Sequence, residues 1–282
     1  SAMEWIHCAP SESALNICDI FSRPEVTLKT IETRFFDAGK KYNRLYLGSY
    51  YCDHYFTQTR MEEYMDILRF SRDHDLRTTV VIPPVFQANY DAVCGLAMEL
   101  LNAKEGTVDE VTVNDWGMAS VISELTSVKL NAGRLLQKDN RDPRYADFFD
   151  AAYVSRSFSN FYTDFFPDQD ITGVEIDCTH KEIVIPKTSR PMQVSVHGPF
   201  CYISIGSICE FASMHKMVGR KFRYADVCSR ECDRASIICR TQCGRDLLRL
   251  GRSVQFENSD CCISSAIPFR YIYSPYRELG VK

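Results

Sequence analysis

Short β-rich segments recur along this chain, and helical patterns lie between the early ones. The segments are Trp5–His7, Arg44–Tyr50, Thr78–Ile82, Glu110–Val113, Ser127–Asn131, Gly173–Asp177, Gln193–His197 and Ser253–Glu257. Most are rich in Val, Ile, Leu, Thr or Tyr and are bounded by Gly, Pro, Asn or Asp. Between them, Thr27–Lys41 carries Leu28, Ile31, Phe35 and Phe36, and Arg60–His74 carries Met61, Tyr64, Met65 and Leu68. That second spacing is the stripe of one buried helix face. Ala92–Leu101 and Gly117–Leu125 continue the alternation. Strand–helix repetition implies a parallel sheet, and eight strands predict an α/β (β/α)8 TIM-like barrel.

The pattern weakens late. Thr179–Pro191 offers no good helix between the sixth and seventh segments, and the tail after the eighth is short and aromatic. The barrel is therefore expected to be irregular or incompletely wrapped at strands six to eight. The 282 residues fit one such domain, with a cysteine-rich insertion at 201–252. No apolar run reaches the ~18 residues of a membrane span. The start has no basic stretch followed by an apolar one, and Ser1-Ala2 before Met3 looks like a tag remnant. A cytoplasmic protein is expected.

Thirteen cysteines, an odd number, fit no small disulfide scaffold at this length. In a reducing compartment, clustered cysteines bind metal or do redox chemistry. Cys201, Cys209, Cys228 and Cys232 concentrate sulfur in one segment, which points to an iron–sulfur cluster. Cys228 and Cys232 are spaced i, i+4, and on a helix both would face one way. Zinc, which also takes four thiolates, is the competitor, although its sites more often use tighter knuckles. Cys239 and Cys243 form a second such pair. Cys18, Cys94 and Cys178 read as buried core thiols.

Barrel chemistry sits at the C-terminal strand ends. Cys8, Cys52, Cys178, Cys201 and the pair Cys261–Cys262 follow strands one, two, six, seven and eight of the reading above. Cys52, Cys201 and Cys262 are therefore expected near one another in space. Asn114, Asp115, Asn131, Arg134 and His197 also lie at predicted strand ends. Arg134 is either a bidentate carboxylate grip or half of a structural ion pair. His197 either contacts substrate or a cluster sulfur, or bonds to backbone. The net charge of −4 argues against general DNA or nucleic-acid binding. Between Gly219 and Arg252, however, eight arginines and one lysine face three aspartates and one glutamate. That stretch is either a solvated face or a hold for an anionic substrate or RNA. There is no Ser-His-Asp elbow, zinc helix or phosphate-binding glycine loop.

Gln193-Val-Ser-Val-His-Gly-Pro-Phe-Cys201, then Gly206-Ser-Ile-Cys209 and the Cys-x3-Cys pair, closely resembles the signature of the collagenase-like peptidase family U thirty-two. Tyr46-Leu47-Gly48, Val113-Asn114-Asp115-Trp116-Gly117, Gly133-Arg134-Leu135-Leu136 and Arg141-Asp142-Pro143-Arg144 agree with it. The resemblance implies a barrel carrying a 4Fe-4S cluster. It implies oxygen-independent hydroxylation, or related modification, of a small aromatic or quinone precursor or an RNA base, with prephenate as oxygen donor in some relatives. The chain looks most like the smaller subunit of the anaerobic ubiquinone-hydroxylation pair, which implies a heterodimer with a second family member. A non-catalytic cluster-carrying subunit and a peptidase are the alternatives. The smaller subunit has a cysteine at the Cys52 position and none at the Cys201 position; commoner members have the reverse. This chain has both, and one extra residue between Cys201 and Cys209. The implied ligands are Cys209, Cys228 and Cys232, with the fourth either Cys52 or Cys201. Cys262, Cys239 and Cys243 are weaker candidates. Asn114, Asp115, Arg134 and His197 are the expected substrate contacts, and the substrate is expected to be small and anionic or aromatic.

Overall fold

The computed structural model describes residues 9–39, 42–148, 152–223 and 227–281. In chain order the strands are β1 (Glu12–Asn16), β2 (Arg44–Gly48), β3 (Arg77–Ile82), β4 (Val108–Val113), β5 (Lys129–Ala132), β6 (Ala152–Val154), β7 (Ile171–Asp177), β8 (Glu182–Ile185), β9 (Gln193–Gly198), β10 (Phe200–Ile205), β11 (Ile237–Cys239), β12 (Leu247–Leu250), β13 (Ser253–Glu257), β14 (Ile263–Ser265) and β15 (Phe269–Tyr273). Eight of them close into a parallel barrel in the order β1, β15, β9, β7, β5, β4, β3, β2. The α/β barrel expected from the sequence is the observed fold.

The helical stripes form the outer layer: α1 (Leu28–Ile31), running into a π turn at Glu32–Phe36, α2 (Asp53–Gln58), α3 (Met61–Asp73), α4 (Tyr90–Leu101), α5 (Trp116–Leu125) and α6 (Asn160–Asp168). α3 buries Tyr64, Ile67, Leu68 and Phe70. These meet the outward residues of the strands, such as Leu45, Leu47, Val80, Val111 and Val113, in one apolar shell. Among the described residues no helix is long and apolar enough to cross a membrane.

After β7 the wrapping changes. β8 stands where a helix would and joins β6 and β14 in a small parallel sheet. Between β9 and β15 the chain makes an antiparallel sheet, β10–β13–β12–β11, and a short helix, α7 (Glu210–Ser213). Two strand expectations are thereby corrected. Trp5–His7 lies outside the described residues, and the first barrel strand is Glu12–Asn16. Ser253–Glu257 is a strand, but it pairs antiparallel with β10, and Phe269–Tyr273 closes the barrel. Cys261 and Cys262 therefore precede the eighth barrel strand. Cys178 is buried in the apolar core as expected, with Cys261, 83 residues further along the chain, as its neighbour. Cys18 is buried as expected, and Cys94 is half-buried.

The barrel interior is polar, because alternate strand residues point inward. At its N-terminal end Arg270 forks onto Glu110 at 2.8 and 2.9 Å and donates to Glu12 at 2.7 Å. Burial alone would raise the Glu110 carboxyl, but Arg270 and Arg44 outweigh it and hold it at about 2. Ionic packing at this end supports stability, while the opposite rim is free for chemistry.

Candidate metal centre

Four thiols line one cavity at the C-terminal rim: Cys52, Cys209, Cys228 and Cys232. The cavity offers ≈ 50 Å³ to the centres of water-sized molecules. Its wall also includes Asp19, Tyr51, Tyr55, Phe86, Arg230 and Arg252.

Cys52 is delivered by the exit of β2. Gly48 has φ +125°, and a Cβ there would collide with the Val81 carbonyl oxygen, so the turn requires glycine. The Ser49 hydroxyl then accepts from the Tyr51 and Cys52 N–H groups at 3.2 and 3.0 Å, placing Cys52 at the start of α2. Cys209 sits at the start of α7. Cys228 and Cys232 do not share a helix: Cys228 is in irregular chain and Cys232 in a single 3-10 turn. Arg230 between them has φ 61°, which breaks the helix before a single 3-10 turn at Glu231–Asp233. Two arginines fasten that loop to the barrel. Arg23 Nη1 donates to the Cys232 carbonyl at 2.9 Å. Arg230 Nη1 donates to the Tyr55 carbonyl at 3.1 Å and to Thr59 Oγ1 at 3.0 Å.

The thiols are close enough to feel one another's charge, Cys228 with Cys209 and Cys232 with both Cys52 and Cys228. Burial pushes Cys52 up to about 12, against the pull of Arg252. It raises Cys228 and Cys232 as well, against Arg230. As protonated thiols they are poor ligands, and a soft cation must displace those protons to bind. Arg252 packs over Phe86 at 4.9 Å, donates to the Gly206 carbonyl at 2.7 Å and lies 3.6 Å from Asp53.

Beneath the cavity the rim meets the polar lumen. Asp19 has a left-handed backbone, φ 64°, and accepts from the Ser49 hydroxyl and the Tyr50 N–H. Burial pushes its carboxyl up to about 6 despite those donors. Deeper in, Glu175 accepts from Tyr50 OH at 2.8 Å and Thr112 Oγ1 at 2.5 Å, and lies 2.8 Å from His197 Nε2. Burial pushes Glu175 up to about 7 and His197 well below its ordinary value, so the imidazole is neutral. Arg134 pairs with Asp177, and Arg141 Nε lies 3.4 Å from the same carboxylate. Burial would raise Asp177, but Arg134 and Arg141 outweigh it and keep it ionised.

The expected site residues therefore divide. Cys52, Cys209, Cys228 and Cys232 share the cavity; Cys201 does not. Its side chain is buried with Leu247 and Phe256, on the face of β10 opposite Tyr202, which packs against Tyr51. Cys239, Cys243 and Cys262 are exposed and do not line the cavity. Asn114 spends its amide on the Ile82 carbonyl and the Leu135 N–H. Asp115 caps α5 through Met118 and also accepts from Val85 N–H, so both oxygens are engaged. Asn131 bonds Glu110 in the lumen. Arg134 is a buried ion pair and His197 a lumen residue; neither lines the cavity.

Several site residues escaped the sequence reading. Asp19 follows the true first strand and was hidden by placing that strand at Trp5–His7. Glu175 and Asp177 had a visible signal: two acids at alternate positions of a β-rich segment mark an inward-facing polar stripe.

Does the donor set fit a metal group? Among the described residues no three His, Cys, Asp or Glu side chains converge closely enough to hold a metal ion. The four sulfurs instead surround a shared space. A single zinc needs every sulfur about 2.3 Å from one point. A multi-iron cluster takes its cysteines on separate irons and spreads them apart. Four thiolates are soft donors that both zinc and an iron–sulfur cluster accept, and Arg230 and Arg252 supply positive charge beside them. Comparisons with protein-family models, curated proteins and solved structures find no match to this chain.

Proposed function

We propose that this chain is an iron–sulfur protein of the collagenase-like peptidase family U thirty-two, held to its cluster by Cys52, Cys209, Cys228 and Cys232. The observation that carries the reading is the meeting of these four thiols, from three separate segments, in one cavity at the barrel rim. The proposed role is oxygen-independent hydroxylation or related modification of a small aromatic or quinone precursor or an RNA base. Support for that role comes from the sequence resemblance, as does prephenate as oxygen donor.

When bound, a 4Fe-4S cluster supplies one-electron chemistry through sulfur ligation. The chain's own residues do the rest. Arg23 and Arg230 hold the Cys228–Cys232 loop on the barrel. Tyr51, Tyr55 and Phe86 form the cavity's aromatic wall and restrict water. Asp19, raised to about 6, is placed to hold or release a proton at its carboxylate near neutral pH. Among the described residues His197 is bonded to Glu175 and to no serine or cysteine.

Anaerobic purification with iron and acid-labile sulfide assays tests the cluster. About four irons and four sulfides per chain is the expected result. A colourless protein carrying zinc or no metal after anaerobic reconstitution would sink the proposal.

A further inference from the structure

The loop joining Cys209 to Cys228 carries a second feature. Residues 214–223 read Met-His-Lys-Met-Val-Gly-Arg-Lys-Phe-Arg, with four cations and no acid. Met217, Val218 and Phe222 are 81%, 87% and 58% exposed, and Met214 is exposed beside them. Four such apolar side chains on one short loop run against the usual solvent-facing composition. Phe222 has a left-handed backbone, φ 57°, its N–H on the Ser213 hydroxyl at 3.2 Å, and its exposed ring borders a surface groove with Ile205 and Ile208. Lys216 Nζ closes the loop's base on the Val227 carbonyl at 2.7 Å. Among the described residues Arg220, Lys221 and Arg223 make no ion pair with an acid. Glu210, at the loop's start, is engaged by Arg249 at 2.6 Å, and Glu231, just past the loop, faces His215 at 3.4 Å. A Cβ added at Gly219 would meet nothing within 4 Å, so that position faces open space.

We infer that this loop docks the protein on an anionic lipid bilayer, with Met217, Val218 and Phe222 entering the interface and Arg220 and Lys221 meeting the headgroups, while Arg223 lines the thiol cavity. Apolar side chains flanked by Lys and Arg on one surface element are the pattern of an interfacial anchor. Aliphatic Met and Val gain from hydrocarbon and offer little to a phosphodiester backbone. RNA recognition by stacking would call for more rings than Phe222 alone. The loop also joins two cavity thiols, and its Lys216 and Arg223 form part of the cavity wall. This surface exists whether or not those thiols hold a cluster.

The test is sedimentation of the full chain with phosphatidylcholine–phosphatidylglycerol vesicles and, separately, with pure phosphatidylcholine vesicles. Binding to the anionic vesicles alone, weakened by added salt, is the expected result. Val218→Asp/Phe222→Asp and Arg220→Glu/Lys221→Glu should each weaken it by roughly tenfold or more. Both pairs lie on the surface, so thermal unfolding should be unchanged, which separates lost docking from lost folding. Equal binding by wild type and both variants overturns the inference. So does failure to bind anionic vesicles, whether the loop instead retains a single-stranded RNA oligonucleotide, mediates a concentration-dependent dimer, or does neither. Iron content is measured on the same samples. Vesicle binding without iron would fail the cluster reading alone, and iron without vesicle binding would fail this one alone.

Discussion

The Arg230 guanidinium lies 4.0 Å above the Tyr55 ring and donates to the Tyr55 backbone carbonyl at 3.1 Å, so one side chain clamps the cysteine loop to α2. Its other arm reaches Asp233 at 3.0 Å within the loop. A half-buried cation–π contact with charge-assisted hydrogen bonds is worth roughly 1–3 kcal/mol. Arg230→Gln should speed amide exchange across 227–233 by about tenfold to a hundredfold and leave the barrel strands' protection unchanged. Hydrogen-exchange mass spectrometry reads both. Unchanged exchange in the loop would show that Arg23 alone fastens it.

Cys52 and Cys201 should separate cleanly. Cys52 faces the cavity, whereas Cys201 is packed against Leu247 and Phe256. Cys52→Ala should remove most of the bound iron. Cys201→Ala should keep it and lose about 1 kcal/mol of stability, the cost of a small buried void. Iron and sulfide per chain, with denaturant melts, check both. Iron lost from Cys201→Ala and kept by Cys52→Ala would reverse the assignment.

These two cysteines also mark where the sequence stopped being readable. Arg77–Ile82, Val108–Val113, Ile171–Asp177 and Gln193–Gly198 announce themselves through Val, Ile and Thr, and Arg44–Gly48 through Leu and Tyr. Glu12–Asn16 reads Glu-Ser-Ala-Leu-Asn, with little β preference, and its strand state is imposed by pairing with β2 and β15. Phe269–Tyr273 looks like an aromatic tail until the barrel needs a strand to close on β9. The spacing of Cys228 and Cys232 was legible; the left-handed Arg230 that keeps them off a shared helix was not. Cys201 sat at a strand exit, but which way its sulfur points depends on the β10–β13 pairing, where it stands opposite Phe256. A one-residue change of face is invisible without the partner strand.

Glu175 should make stability fall as pH rises. Its carboxyl is pushed up to about 7 in the fold, from an ordinary value near 4.5. Between these values the folded state binds the proton and the unfolded state has released it, so unfolding stability declines with pH across that window. Glu175→Gln keeps the acceptor for Tyr50 or Thr112 and removes the titration. Its stability relative to wild type should rise by about 1–3 kcal/mol from pH 4.5 to 7 and level off above. Urea melts across that range measure the difference. A flat difference would place the Glu175 proton elsewhere in the lumen network.

Arg134 and Asp177 should behave as a coupled pair. Both are fully buried, and Arg134 Nη2 also donates to the Phe200 carbonyl at 2.9 Å, so the pair ties β7 to the first strand of the inserted sheet. Arg134→Met leaves the carboxylate with Arg141 alone, 3.4 Å away. Breaking a buried pair from one side costs about 3–5 kcal/mol, a fall in Tm on the order of 10 °C. The variant should lose further stability as pH rises, because burial then lifts the Asp177 carboxyl instead of the arginine lowering it. Asp177→Asn in the Arg134→Met background removes the stranded charge and should recover a substantial part of the loss. Calorimetry on wild type, both single variants and the double variant closes the cycle, with a coupling of about 1–3 kcal/mol expected. Additive single effects would mean that Arg141 already neutralises Asp177, and that Arg134 serves the Phe200 carbonyl alone.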